Sequence, residues 1–208
     1  YELIEDVGGI SVGTRSEGEY RSASADYRRI LSDLERVRYD ELDLQDQVDY
    51  ELLDAHVRTQ VFEIDTVQLY KLNPVSYYSL GQTNRLFIRP GAVGDDGVLG
   101  AVRELTRLPV LLNNARQNLT TPARVWTENA IYQAYYAKML LEDYVPDAAV
   151  DDPELKRELL RAAEGALRAV EEYEAWLERE LLPRSTRSPA WDPDFIEFYQ
   201  LVHEQLDE

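Results

Sequence analysis

The chain has 208 residues, with 40 acidic against 22 basic side chains and a formal charge of −18. A surface this acidic repels a phosphate backbone, which sets nucleic acid aside as a partner. There is no cysteine, so disulfides, thiolate nucleophiles and cysteine-built zinc sites are excluded.

Hydrophobic residues make up 44% of the chain, enough for a sizeable core. No apolar run approaches the roughly 20 residues needed to span a bilayer. Only Lys71, Lys138 and Lys156 are lysines among the basic residues. That skew fits a high-salt habitat, a GC-rich genome or an ordinary solvated surface. The chain opens on Tyr1 rather than Met, which agrees with removal of a leading segment and leaves export open.

Residues 1–23, with Gly8, Gly9, Gly13 and Gly18, read as an irregular lead-in, and 24–208 as a single helical domain. A first helix is expected over about 24–39, with Tyr27, Ile30, Leu31, Leu34 and Val37 on its apolar face. A second, over about 43–72, carries Leu53, Val57, Val61, Ile64 and Val67 at steps of three and four, widened by Leu52, Phe62 and Leu69. Pro74 is read as its end. Residues 73–97 are irregular, with a buried turn or short helix around Tyr77, Tyr78, Leu86, Phe87 and Ile88. Arg89-Pro90-Gly91 and Gly94-Asp95-Asp96-Gly97 have loop chemistry.

A third helix is expected over about 98–118 on Leu105, Leu108, Leu112, Ala115 and Leu119, kinked or broken at Pro109. Thr121-Pro122, Asp152-Pro153 and Asp192-Pro193 each place a capping side chain before a proline, the signature of a helix start. The fourth helix carries Trp126, Ala130, Ala134, Ala137, Leu141 and Tyr144, the small residues inviting close approach of a neighbour. The fifth has an unbroken stripe of Leu155, Leu159, Ala162, Ala166, Val170, Tyr173, Leu177 and Leu181, ended by Pro183. The sixth, about 193–206, uses Phe195, Phe198, Tyr199 and Val202. No segment alternates long enough to build a sheet. The reading is all-α: an antiparallel array of about six helices.

The chemistry is sparse. A zinc peptidase helix needs two histidines four residues apart with a glutamate as base. The chain has only His56 and His203, and Asp207 stands four after His203. His56, beside the apolar stripe, reads as a half-buried packing residue. Helical di-iron proteins need Glu-x-x-His, whereas Leu53 and Gln200 precede the histidines by three. Phosphate-binding glycine spacings and a nucleophile elbow are absent. Gly94-Asp95-Asp96-Gly97 lacks the ligand ladder of a calcium loop and reads as a mobile loop. Asn118-Leu119-Thr120 is a glycosylation sequon. No catalytic residue and no metal ligand is assigned. Fourteen tyrosines cluster at Tyr70, Tyr77 and Tyr78 and at Tyr132, Tyr135 and Tyr136. Their amphipathic rings suit helix packing and also the wall of a groove.

Several blocks share an order. Asp49-Tyr50-Glu51-Leu52-Leu53, Phe62-Glu63 and Leu72-Asn73-Pro74 with Tyr77-Tyr78 come first. Leu108-Pro109-Val110-Leu111-Leu112, Ala115-Arg116-Gln117-Asn118-Leu119, Pro122 and Val125-Trp126-Thr127-Glu128-Asn129-Ala130 follow. Ala169-Val170, Tyr173, Trp176-Leu177 and Leu181-Leu182-Pro183-Arg184 close the series. Over about residues 25–185 the chain resembles the N-terminal part of the bacterial domain-of-unknown-function 885 family. The resemblance implies a helical, zincin-like fold. It also implies longer relatives taken to be zinc-dependent peptidases or hydrolases, often exported. Their His-Glu-x-x-x-Gly-His-His type motif lies downstream of the matched region. No metal ligand or catalytic glutamate carries over, and zinc is expected only in that downstream part.

The leading expectation is therefore an N-terminal helical lobe, not catalytic alone, packing on a catalytic half and forming one wall of a peptide-substrate cleft. Asn73, Tyr77, Tyr78, Trp126 and Glu128 are the candidate wall, because a polar-aromatic block lies at helix ends. The partner would be the remainder of its own chain or a homodimer mate, with a tyrosine-rich patch on one side. The rival is a stand-alone helical binding or scaffold domain without enzymatic activity. An enzyme built on carboxylates alone would need two acids in one pocket, and no pair stands out.

Overall fold

The computed structural model describes Val7, Ile10, residues 12–88 (backbone only for 86–88), residues 94–187 and Ile196. Among these residues the fold is all-α: six α-helices joined by short 3-10 and π turns, with one isolated parallel bridge between Ala123 and Arg187. The chain divides into two compact units; the first comprises Tyr1–Leu69 and Ala190–Glu208, and the second Tyr70–Pro189. The sixth expected helix, 193–206, the Asp192-Pro193 start and Arg89-Pro90-Gly91 lie outside the described residues.

In the first unit, α1 spans Glu17–Leu34, starting seven residues earlier than the apolar spacing predicts. The cause is a capping box. The Ser16 hydroxyl accepts from the Glu19 N–H, while the Glu19 carboxylate accepts from the N–H groups of Ser16 and Thr14. Ala23, Tyr27, Ile30 and Leu34 then face inward at steps of four, three and four. Helix α2, Leu44–Phe62, is capped by Asp43 accepting from the Asp46 N–H. Its Val57 meets that stripe, with Leu53, Val61 and Ile64 packed around it. Leu52 is 50% exposed and does not widen the face.

The second helix does not run to residue 72. It widens into a π turn over Glu63–Val67 and closes on Gln68 in the left-handed conformation (φ 52°). Asp65 is tied to α1 through the Ser24 hydroxyl at 2.8 Å and the Arg28 guanidinium at 2.6 Å. Pro74, read from sequence as the end of that helix, begins a 3-10 turn over Pro74–Tyr77. Asn73 caps that turn by accepting from the Val75 N–H at 3.1 Å.

The second unit contains α3 (Gly81–Ile88), α4 (Asp95–Asn118), α5 (Arg124–Met139) and α6 (Pro153–Trp176). Helix α4 packs most extensively on α6. Leu105, Leu108, Leu112 and Ala115 meet Leu159, Ala163, Ala166, Val170 and Tyr173, each 4% exposed or less. Position 163 takes the buried place expected of Ala162, which is only half-buried. Ala130, Ala134 and Ala137 line the buried side of α5. The small side chains allow the close approach read from the sequence.

Three further expectations are corrected. Pro109 does not break α4, which is continuous through it. The fully buried Leu105 and Leu108, with Leu111 and Leu112 at 1% exposure, surround the missing hydrogen bond, and their packing outweighs one lost N–H. Asp95 and Asp96 are not loop residues; they form the first turn of α4, where carboxylates complement the exposed N–H groups. Thr121-Pro122 does not start α5, which begins at Arg124 after Ala123. Residues 120–123 are non-helical instead, with a bend at Thr121: the Thr120 N–H reaches the Lys71 carbonyl and the Arg187 N–H the Pro122 carbonyl. Asp152-Pro153 does start α6, the carboxylate accepting from the N–H groups of Glu154 and Leu155.

Candidate functional site

The site grows from the 3-10 turn at Pro74–Tyr77. Tyr77 is fully buried; its hydroxyl donates to the Tyr70 carbonyl at 2.6 Å and accepts from the Asn118 side chain at 2.8 Å. This locks the turn onto the C-terminus of α4. It also removes the sequon from use, because Asn118 is 6% exposed and its amide is already donating. Tyr173, from α6, is likewise fully buried and donates to the Pro74 carbonyl at 3.3 Å.

Tyr78 comes next. Its ring meets Tyr173 edge-on at 5.6 Å between centroids, and Tyr173 stacks on Trp176, over which the Arg184 guanidinium lies at 5.5 Å. The Tyr78 hydroxyl is buried without a hydrogen-bond partner. Burial, with the Glu174 carboxylate nearby, pushes its pKa well above the ordinary tyrosine value. It therefore stays protonated: a buried donor lacking an acceptor, an arrangement that costs free energy and requires an explanation.

Tyr78 lines a pocket of about 300 Å³ between the start of α3 and α5. Leu80 and Gly81 form one wall together with Asn84; Gln133, Tyr136, Ala137 and Leu140 form the other. Two charges on the neighbouring helices are paired within the protein. Glu104, 9% exposed on α4, accepts from the N–H groups of Gln82 and Thr83 and from the Thr83 hydroxyl. That carboxylate occupies the electropositive end of α3, where an anionic ligand would otherwise sit. Lys138 is bound to Glu174 at 2.5 Å.

Beyond the pocket mouth, Tyr132 and Tyr135 are each 57% exposed and Tyr136 is 41% exposed. Their rings pack edge to face, Tyr132 on Tyr136 at 4.8 Å and Tyr135 on Tyr136 at 5.5 Å, with the hydroxyls of Tyr132 and Tyr136 2.5 Å apart.

The five residues expected to form a wall are dispersed over these features. Asn73 caps a turn, Tyr77 is structural and Tyr78 reaches the pocket. Trp126 is half-buried near the start of α5, and Glu128 is exposed in an ion pair with Arg124 at 2.8 Å. Sequence reasoning missed Asn84, Gln133 and Glu104. The last two carried a signal: Gln133, Tyr136, Ala137 and Leu140 follow helical spacing, and Glu104 is a lone carboxylate on the leucine stripe of α4. His56 is exposed rather than half-buried, its ring edge-on to Tyr27 at 6.4 Å. His203 lies outside the described residues. Among the described residues, no three His, Cys, Asp or Glu side chains converge as a metal ion would need, and no helix is long and apolar enough to cross a membrane.

Among solved structures, a candidate lipoprotein of unknown function from Shewanella oneidensis superposes with a TM-score of 0.71 at 18% identity. The match covers 98% of this chain and 36% of that one; at such identity the likeness is one of fold. No curated protein matches. The family model described as "Bacterial protein of unknown function (DUF885)" matches residues 11–206, so the chain belongs to the DUF885 family.

Proposed function

We propose that this helical DUF885 domain is a binding module, without catalysis of its own, that takes an uncharged polar ligand in the pocket beside Tyr78. The observation that carries the reading is the pocket of about 300 Å³ lined by Tyr78, Asn84, Gln133 and Tyr136 together with apolar side chains. Glu104 is taken up by the start of α3 and Lys138 by Glu174, and the polar residues that line the pocket are of uncharged types. The test is a titration of the isotopically labelled 208-residue chain with neutral polyols and amides, beside phosphate and free glutamate as charged controls. Shifts at the Gly81, Gln82 and Gln133 amides with the neutral set alone are expected. A response to the charged probes only would defeat the reading.

A second reading, in which the domain forms one cleft wall of a longer zinc-dependent peptidase, is favoured by one observation. The chain corresponds to only 36% of the Shewanella oneidensis protein. Under it, Tyr78 and Trp126 would meet a peptide together with Asn73, Tyr77 and Glu128, and the ion would come from downstream residues. The whole gene product would then bind zinc and cleave peptides. Unchanged kinetics in folded Tyr78→Phe and Trp126→Ala variants would remove those two side chains from the wall.

A further inference from the structure

The chemistry of the pocket narrows its ligand further, an inference that rests on the binding-module reading above. Four residues with polar side chains line it, Tyr78, Asn84, Gln133 and Tyr136, of which the Tyr78 hydroxyl is itself buried. Each can donate and accept hydrogen bonds, and none of these side-chain types carries a charge at neutral pH. A ligand matching such a set presents groups that also donate and accept without charge, several of them close together. Hydroxyls on adjacent carbons meet that description.

The apolar part of the lining agrees. Leu80, Ala137 and Leu140 cover one part of the pocket and would meet the C–H groups of the same molecule. Gly81 adds no side chain, leaving room for close approach. At the mouth, Tyr136 belongs both to the pocket and to the exposed tyrosine cluster. Contacts with Tyr132 and Tyr135 hold its ring in place before any ligand arrives, so little rotamer freedom is lost on binding. Anions are disfavoured twice, by a net charge of −18 and by Glu104 seated on the end of α3.

We propose that the pocket binds a neutral sugar, one pyranose ring lying against Tyr136 with its hydroxyls bonded by Asn84 and Gln133, and further units running out along Tyr132 and Tyr135. The volume of about 300 Å³ lies at the lower end for small-molecule sites, which suits one ring inside and the rest of an oligomer outside.

The experiment titrates the isotopically labelled 208-residue chain with maltose, cellobiose and diacetylchitobiose, and separately with N-acetyl-leucine methylamide as a neutral amide without sugar hydroxyls. Saturable shifts at Gly81, Gln82 and the Asn84 and Gln133 side-chain amides are expected with at least one disaccharide. Tyr136→Ala should weaken that binding about tenfold, the value of one aromatic contact, and Tyr136→Phe only about threefold. Gln133→Leu, on a half-buried position, serves as the second variant and should weaken it comparably. A saturable response to the capped leucine alone would overturn the sugar assignment and leave the pocket a binding site. Silence with every probe would overturn both, and sugar binding unmoved by Tyr136→Ala and Gln133→Leu would overturn the placement.

Discussion

Glu104 and Thr83 are joined twice: the buried carboxylate of α4 accepts both the backbone N–H and the hydroxyl of Thr83, each at 2.8 Å. A neighbouring helix thus caps α3, which has no capping side chain of its own just before Gly81. Glu104→Ala should lower global stability by about 1–3 kcal/mol, the cost of leaving buried N–H groups unsatisfied. Glu104→Gln, which keeps one acceptor oxygen, should cost less. Urea denaturation reads the difference. Amide exchange at Gln82 and Thr83 should quicken in Glu104→Ala well before the core of α6 responds. Unchanged protection at both amides would contradict the capping role.

That carboxylate also marks the limit of what spacing reveals. The helices with long amphipathic stripes, α4 and α6, stand close to where periodicity puts them, because burying one face decides their existence. Their ends and turns follow local hydrogen bonds that periodicity does not register. Ser16 and Glu19 start α1 early, and a left-handed Gln68 stops the second helix early. Pro122 sits in the non-helical link before α5, its carbonyl accepting from the Arg187 N–H. Of the pocket, the sequence offers Tyr78 as a wall residue and Tyr136 only as one of a tyrosine cluster that suits packing or a groove. Asn84 and Gln133 meet there through the packing of α3 and α5, a long-range relation that no short motif encodes. The pairing of Lys138 with Glu174 spans 36 residues and is equally invisible in the sequence.

Gln68 offers a direct check on the early stop. Its φ of 52° is left-handed, a region that costs an ordinary L-residue about 1–2 kcal/mol and a β-branched one more. Gln68→Gly should therefore equal or exceed the parent in thermal stability, because the relief offsets the added freedom of the unfolded chain. Gln68→Val should fall below it by about 1 kcal/mol or more. The reverse order in a melting experiment would mean that the helix continues past this residue.

Tyr77 and Asn118 provide a coupled pair. Both side chains are buried, and the amide donates to the hydroxyl that itself donates to the Tyr70 carbonyl. Tyr77→Phe and Asn118→Ala should each destabilise. Their double-mutant cycle should show a coupling of about 0.5–3 kcal/mol, the range for residues sharing one network. Additive losses would deny the chain of bonds on which the Pro74–Tyr77 turn rests.

Glu63 sets the pH response of the first unit. Burial raises its pKa above the reference 4.5, and the nearby His56 lowers it by a smaller amount. A carboxyl whose folded pKa lies above its unfolded value holds its proton more tightly when folded. Between the two values the folded state binds more protons, so this group's contribution to stability falls as pH rises through that window. Below the unfolded value both states are protonated and the full contribution is present. Glu63→Gln carries no titrating proton, so the variant should gain on the parent as pH climbs from about 4 towards 7. His56 is the neighbour that lowers the Glu63 pKa, so His56→Gln in the same background isolates the effect of burial. Without the imidazolium the rise in the Glu63 pKa should grow. Denaturation midpoints at pH 4 and pH 7 for the parent, each single variant and the double variant measure this. A parent that gains on Glu63→Gln over that interval would contradict the desolvated carboxyl.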